Sequence, residues 1–377
     1  MKKKEGTGFG IRLRGKRNSG LRDNGITGLR DYRIMVLRYY GMMVLVGLVG
    51  LVGLNWVYAK WFYPNDLKTH SEMIELSWKA AEDSLQVVYL GESSNKTYAY
   101  RDKDKRKISE MVAEGLPGLR CGDITKEASH AEIYYYLLKN IPKENTIETV
   151  VVTMNLRSFG PYWIYSTLET ALQKQLVLMK GYPPLMGRAL LAFKAYPIHT
   201  KSEWNQLADK EFKTAKLEFP YPFPFETAQA WNYDFAVKGV KDAEGNRDQA
   251  MTELTSHFVK NYAFNIHDDN PRVKDFDRIV KLCEKRGWNL VFNLMAENVD
   301  KAEALVGTDL VFLMRENAKY LEERYEGKGV TVVNNLEEVR DQDFIDKNWP
   351  TEHYDEVGRK TIANRVVQKL LKNHPSE

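Results

Sequence analysis

The chain has 377 residues, 43% hydrophobic and 28% charged, with a formal net charge of +4. That length exceeds one small domain and fits a single large α/β domain with insertions, and the composition is that of a globular protein. The charge is segregated: residues 1–38 carry +8, from eleven Lys/Arg against Glu5, Asp23 and Asp31, which leaves −4 for the rest and argues against nucleic acid as a partner.

Residues 1–34 are rich in Gly and Arg and aperiodic, which predicts an irregular segment within a basic cytoplasmic tail, residues 1–38. Tyr39 to Ala59 contains no charged residue, and about 20 apolar residues cross a bilayer as a helix. Tyr39 and Tyr40 on one side, and Trp56, Tyr58, Trp61 and Phe62 on the other, suit the two membrane interfaces. The basic residues before the span predict a cytoplasmic N-terminus and an extracytoplasmic main domain, periplasmic in a Gram-negative cell. The run is longer than the ~7–15 residues of a signal core and no clear A-x-A site follows, so the reading is an uncleaved single-pass anchor with the lipid bilayer as partner. Met35 is an alternative start that keeps the anchor and Arg38.

Residues 64–377 form the outer domain. A helix is expected over 64–85, where Met73, Ile74 and Leu76 have helical spacing. Val87-Val88-Tyr89-Leu90 then reads as a buried strand stopped by Gly91, with Ser93 and Ser94 just beyond it. A serine emerging at the carboxyl edge of an α/β sheet is a nucleophile if a base lies within reach, and a helix cap otherwise. Lys103–Glu114 is an amphipathic stretch, Leu119–Ile124 a short strand with a glycine turn at Gly122, and Ala128–Asn140 a helix. Thr146–Asn155 is a strong strand, and Asn155, a poor strand former, marks its end. An amide there either donates to a developing oxyanion or serves as a turn residue.

Residues 160–265 are rich in Trp, Tyr, Phe and Pro and read as a mainly helical insertion, joined by an extended aromatic segment at Phe219–Phe225 where the prolines forbid helix. Alternation resumes with helix Arg272–Arg286, strand Asn289–Leu294, helix Val299–Leu305, strand Leu310–Met314, helix Glu316–Tyr325 and strand Gly329–Val333. Such alternation builds a parallel sheet covered on both faces. His353 stands in a polar loop after the last strand, before a helix running to about Leu371. Cys121 and Cys283 are the only cysteines and can pair outside the cytoplasm, while the seven scattered histidines show no metal-ligand spacing.

Gly91-Glu92-Ser93, Gly122, Asn155 within MNLRSF, and His353 before a final helix together resemble the four blocks of the SGNH (GDSL-like) hydrolase family, with Glu in place of Asp in the first block. The resemblance spans roughly residues 84–160 and 286–372 and leaves the aromatic insertion unmatched. It implies a flavodoxin-like three-layer fold, with Ser93 as nucleophile, His353 as base then acid, and the Ser93 backbone N–H, Gly122 and Asn155 as oxyanion donors. The family places its acid three residues before the histidine, where this chain has Pro350, so Asp346 or Glu352 is left to orient the imidazole, unless the site works as a dyad. The layout of one N-terminal span and an outer domain is similar to that of alginate O-acetylation and teichoic-acid D-alanylation proteins. That similarity implies an anchored esterase or O-acyltransferase with an acylated envelope polysaccharide as substrate, a membrane acyl-donor partner and no cofactor or metal. The alternative is a non-catalytic carbohydrate-binding or envelope-assembly protein on the same fold.

Overall fold

The computed structural model describes residues 23–166, 170–181, 183–195, 200–327 and 329–373. The chain divides between Trp61 and Phe62 into two units.

The first unit is helix α1 (Asp23–Trp61), of which Tyr32–Trp61 is long and apolar enough to cross a membrane and none of it is buried. At 1.5 Å per residue that stretch runs about 45 Å, ample for a hydrocarbon core of ~30 Å. The helix reaches back to Asp23, which corrects the expectation of irregular chain for 23–34. No proline interrupts this stretch, and extending a nucleated helix adds a hydrogen bond for each residue fixed. The rest of the basic tail, 1–22, lies outside the described residues, as do His199 and His374.

The second unit begins with α2 (Tyr63–His70) and α3 (Glu72–Glu82), two helices where one was expected, because buried Ser71 takes an extended backbone. There follow β1 (Val87–Gly91), α4 (Ser93–Lys96), α5 (Ile108–Glu114), β2 (Cys121–Thr125), α6 (Ala131–Lys139) and β3 (Thr149–Met154). Between β3 and the next strand of the main sheet lie α7 (Pro161–Ile164), α8 (Thr170–Met179), α9 (Pro184–Ala192), α10 (Lys201–Thr214), α11 (Ala228–Lys238), a small hairpin of β4 (Val240–Lys241) and β5 (Arg247–Asp248), α12 (Gln249–Tyr262) and α13 (Pro271–Arg286). The chain closes with β6 (Asn289–Leu294), α14 (Val299–Leu305), α15 (Thr308–Tyr325), β7 (Val330–Asn334) and α16 (Glu356–Asn373).

Five strands pair in parallel in the order β2-β1-β3-β6-β7. The order reverses between β1 and β3, and ligands of open α/β sheets bind beyond the carboxyl ends of the strands at such a point. Both faces are covered. Val88, Leu90, Val150, Val152 and Phe292 pack into one core with α3, α6, α13 and α15. Val87, Tyr89, Val151 and Val291, the alternate residues, pack into a second with Ile108 and Met111 of α5 and Ile362 and Val366 of α16.

Leu310–Met314, expected as a strand, belongs to helix α15. Its run of apolar residues is buried around most of the helix, and periodicity cannot separate a buried helix from a buried strand. The segment Phe219–Phe225 is not helix, as its prolines require, but neither is it extended: it folds back as a loop closed by the antiparallel bridge of Lys216 with Thr227, with Phe219 stacked on Phe223 at 4.1 Å and on Phe312, and Phe223 edge-on to Trp231. The two cysteines are unpaired: Cys283 lies in the first core and Cys121 packs against the second, across the sheet.

Candidate active site

The turn after β1 is built around Gly91 and Asn95. A side chain at Gly91 would stand 2.7 Å from Asn95 Cβ, so glycine permits the close approach. Asn95 accepts from the Ser109 backbone N–H and donates to the hydroxyls of Ser109 and Thr125, which pins the turn to α5 and β2. Glu92 caps α4, its Oε1 accepting the Ser94 N–H at 3.0 Å. Ser93 is thereby set, half-buried, at the carboxyl end of β1.

Opposite it lies the loop between β7 and α16. Phe344 and Tyr354 form an antiparallel bridge, and the Ile345 N–H donates to the His353 carbonyl at 2.9 Å. Pairing the two ends of the loop sets Asp346 beside His353 despite their separation in sequence. Asp346 Oδ2 lies 2.8 Å from His353 Nδ1 and accepts the Thr351 hydroxyl at 2.5 Å. His353 Nε2 lies 3.0 Å from Ser93 Oγ. Ser93, His353 and Asp346 thus form one continuous chain of hydrogen-bonding groups, the arrangement that activates a serine. With its Nδ1 hydrogen on Asp346, the imidazole turns its Nε2 lone pair toward the hydroxyl.

Glu352 lies elsewhere. Fully buried, it takes the Arg157 guanidinium in a two-pronged pair at 2.5 Å on each side, beneath the site. Asn155 is brought in: its Nδ2 donates to Glu92 Oε1 at 3.2 Å. Gly122 is not. It pairs with Val88 inside the sheet, while Thr125 is the residue level with Gly91. Three strand positions place it roughly 10 Å short of the sheet edge. Its missing side chain instead admits Leu85, whose Cδ1 would lie 2.5 Å from a Cβ there. Ser94, the other candidate hydroxyl, is fully buried and its Oγ has no hydrogen-bond partner.

Glu92 is the feature that residue types alone did not disclose. Its Oε2 accepts the Ser93 hydroxyl at 2.6 Å, so three donors from Ser93, Ser94 and Asn155 converge on one carboxylate. Burial pushes its pKa up, but the hydrogen bonds from Ser93 and Ser94 and the Arg157 charge outweigh it and hold the carboxyl below its ordinary value. Glu297, equally buried, goes the other way: burial and the Glu352 charge raise its pKa well above the ordinary value, against the Tyr262 hydroxyl at 2.6 Å and the Leu156 N–H at 3.1 Å that bind it. The two buried acids are thus pushed in opposite directions by their surroundings.

These groups open on a cavity of about 950 Å³ lined by Ser93, His353 and Asn155 together with Tyr162, Trp163, His257, Lys260 and Trp349. The His257 and Trp349 rings stand 3.8 Å apart on its wall. Ala128, also on the wall, holds a left-handed backbone at φ 56°, a conformation that costs a non-glycine residue energy and recurs at functional sites. Among the described residues no cluster of His, Cys, Asp and Glu suits a metal ion. No protein-family model matches the chain, and no curated protein sequence matches it.

Proposed function

We propose that the chain is a membrane-anchored, extracytoplasmic serine esterase or O-acyltransferase of SGNH-like, flavodoxin-like architecture, acting on acyl esters of an envelope polysaccharide. The observation that carries this reading is the Ser93–His353–Asp346 chain, at 3.0 and 2.8 Å, opening on a large cavity at the strand-order reversal. In the proposed reaction Ser93 Oγ attacks the ester carbonyl as its proton passes to His353 Nε2. The imidazolium, steadied by Asp346, returns that proton to the leaving alcohol. Water or an acceptor hydroxyl then attacks the acyl-serine by the same route in reverse, which separates esterase from transferase only in the second step. On this reading the Asn155 amide, which donates to Glu92 Oε1 in the resting site, and the Ser93 backbone N–H serve as the oxyanion donors. Residues 160–265 form an insertion whose Tyr162, Trp163 and His257, facing Trp349 of the His353 loop, offer flat surfaces for sugar rings. The basic residues before the apolar span support a cytoplasmic N-terminus, and an acyl donor is then delivered by a membrane partner.

One observation favours the non-catalytic alternative, a carbohydrate-binding or assembly protein: Glu92 accepts hydrogen bonds from the Ser93 hydroxyl and the Asn155 amide. Labelling of the detergent-solubilised full chain with a fluorophosphonate separates the two. The enzyme reading expects label on wild type and on Ser94→Ala, and none on Ser93→Ala or His353→Ala. A folded wild-type chain that takes no label would sink it.

A further inference from the structure

We propose that α9 rests on the lipid surface, so that the bilayer is a partner of the second unit as well as of its anchor. The proposal depends on the reading of α1 as a membrane span. It starts from an apolar stripe. Met186, Ala189 and Phe193, at helical spacing along one side of α9 and its end, are all exposed, Phe193 by 82% and Met186 by 49%. The opposite side is occupied: Gly187 is buried where its Cα faces the Val177 carbonyl, and Leu191 packs on the core. A fold that buries one side of a short helix and leaves Met and Phe on the other exposes them to something less polar than water. Lys194, exposed directly after Phe193, carries the charge that favours anionic headgroups.

What covers the stripe follows from where α9 is tied. Arg188, on α9, bonds Asp66 of α2 at 3.0 Å, and the Tyr63 hydroxyl of α2 donates to the Leu178 carbonyl of α8 at 2.5 Å. One residue, Phe62, separates α2 from the end of α1 at Trp61. Asp66 lies five residues past Trp61 and so within about 18 Å of it along the chain. The helix carrying the bare stripe is therefore fastened to the few residues that leave the bilayer. Trp61 and Phe62, where the chain leaves α1, are exposed by 63% and 57% and are residue types that settle at a membrane interface. The tether to the chain's exit from the span is what favours lipid over a soluble protein partner. Because Gln175 of α8 lines the cavity, docking α9 holds one cavity wall over the lipid, the surface from which a membrane-held acyl donor or acceptor arrives.

The test uses the full chain in phosphatidylcholine–phosphatidylglycerol vesicles, with Cys121→Ser removing the half-exposed thiol and a single new cysteine bearing an environment-sensitive fluorophore. Phe193→Cys and Met186→Cys are the probes, Val46→Cys inside the span is the membrane control, and Tyr100→Cys, at a residue exposed by 96%, is the water control. The expected result is a blue-shifted emission at 186 and 193 that is lost when brominated lipid replaces ordinary lipid, with position 100 unaffected. Probes at 186 and 193 that behave like position 100, while position 46 is quenched, overturn the docking. If position 46 is not quenched either, the membrane span itself fails, and the docking fails with it for that separate reason.

Discussion

The hydroxyl of Ser93 donates to the carboxylate of Glu92 at 2.6 Å. A serine has one proton to give, and His353 Nε2, at 3.0 Å, is the other acceptor in reach. Glu92 also holds a hydrogen of Asn155 and the backbone N–H of Ser94, so an ionised carboxylate sits among the donors that would otherwise face an oxyanion. On the esterase reading its negative charge would oppose the charge that develops on the substrate. Glu92→Gln removes that charge at nearly constant shape and turns an amide donor toward the serine oxygen, which frees the hydroxyl hydrogen for His353. The rate of fluorophosphonate labelling is expected to rise, on the order of tenfold. A fall instead would mean that Glu92 holds the serine in its reactive position.

The two buried carboxyls predict opposite pH dependences. Glu92 has a folded-state pKa below its ordinary value, so the stability it contributes is present above that ordinary value and is lost as pH falls through the lowered one. Glu297 has a folded-state pKa well above its ordinary value, so its contribution is present below that ordinary value and is lost as pH rises toward the raised one. Thermal unfolding of the wild type against Glu92→Gln should show a wild-type advantage that shrinks on acidification. Against Glu297→Gln the wild type should gain on acidification and lose ground toward neutral pH. Two difference curves of the same sign would contradict this assignment.

Asp346 contacts the imidazole and Glu352 does not, which separates their substitutions. Asp346→Asn leaves the volume unchanged but offers an amide where His353 Nδ1 needs an acceptor, and the wrong tautomer lowers turnover by about 10⁴-fold in sites of this logic. The labelling rate should fall toward that of His353→Ala with the unfolding temperature little changed. Near-normal labelling of Asp346→Asn would assign the site to a Ser–His dyad.

Glu352 acts on stability instead. It and Arg157 are buried together, their side chains exposed by only 1% and 6%. Glu352→Ala leaves a guanidinium without its counter-charge in the interior, at a cost of about 3–5 kcal/mol. The double variant Glu352→Ala, Arg157→Leu should recover part of that loss in a denaturant titration, because the stranded charge is gone. A double variant as unstable as the sum of both single ones would show that the loss came from packing.

The sheet was legible where chemistry changes abruptly along the chain. Asn289–Leu294 and Val299–Leu305 have the expected bounds: Gly287 ends the helix ahead of the strand, and Asn298 caps the helix that follows it. Leu310–Met314 was absorbed into a longer helix because the Gly307-Thr308-Asp309 turn ahead of it starts a helix as readily as a strand and no turn residue directly follows Met314. Within the site, Ser93 and Asn155 could be placed because each stands just beyond a strand, and His353 because it stands just before the last helix. Choosing between Asp346 and Glu352 needed the pairing of Phe344 with Tyr354, a contact across the loop that no local pattern encodes. The reach of Glu92 to three donors is likewise a property of tertiary geometry.

Gly122 tests how far its resemblance to a family glycine extends. In the structure it sits inside β2, level with Val88, with Leu85 filling the space above it. An alanine there places its Cβ 2.5 Å from Leu85 Cδ1 and 3.0 Å from Cδ2, so Leu85 must turn or the strand must shift. Overpacking of this kind costs about 1–3 kcal/mol. Gly122→Ala should therefore unfold at lower temperature or denaturant concentration than wild type. Its folded fraction should label with fluorophosphonate at the wild-type rate, because a group some three residues short of the sheet edge touches neither the serine nor the oxyanion. A labelling rate that fell with stability unchanged would move Gly122 into the oxyanion site and require β2 to sit in a different register against β1.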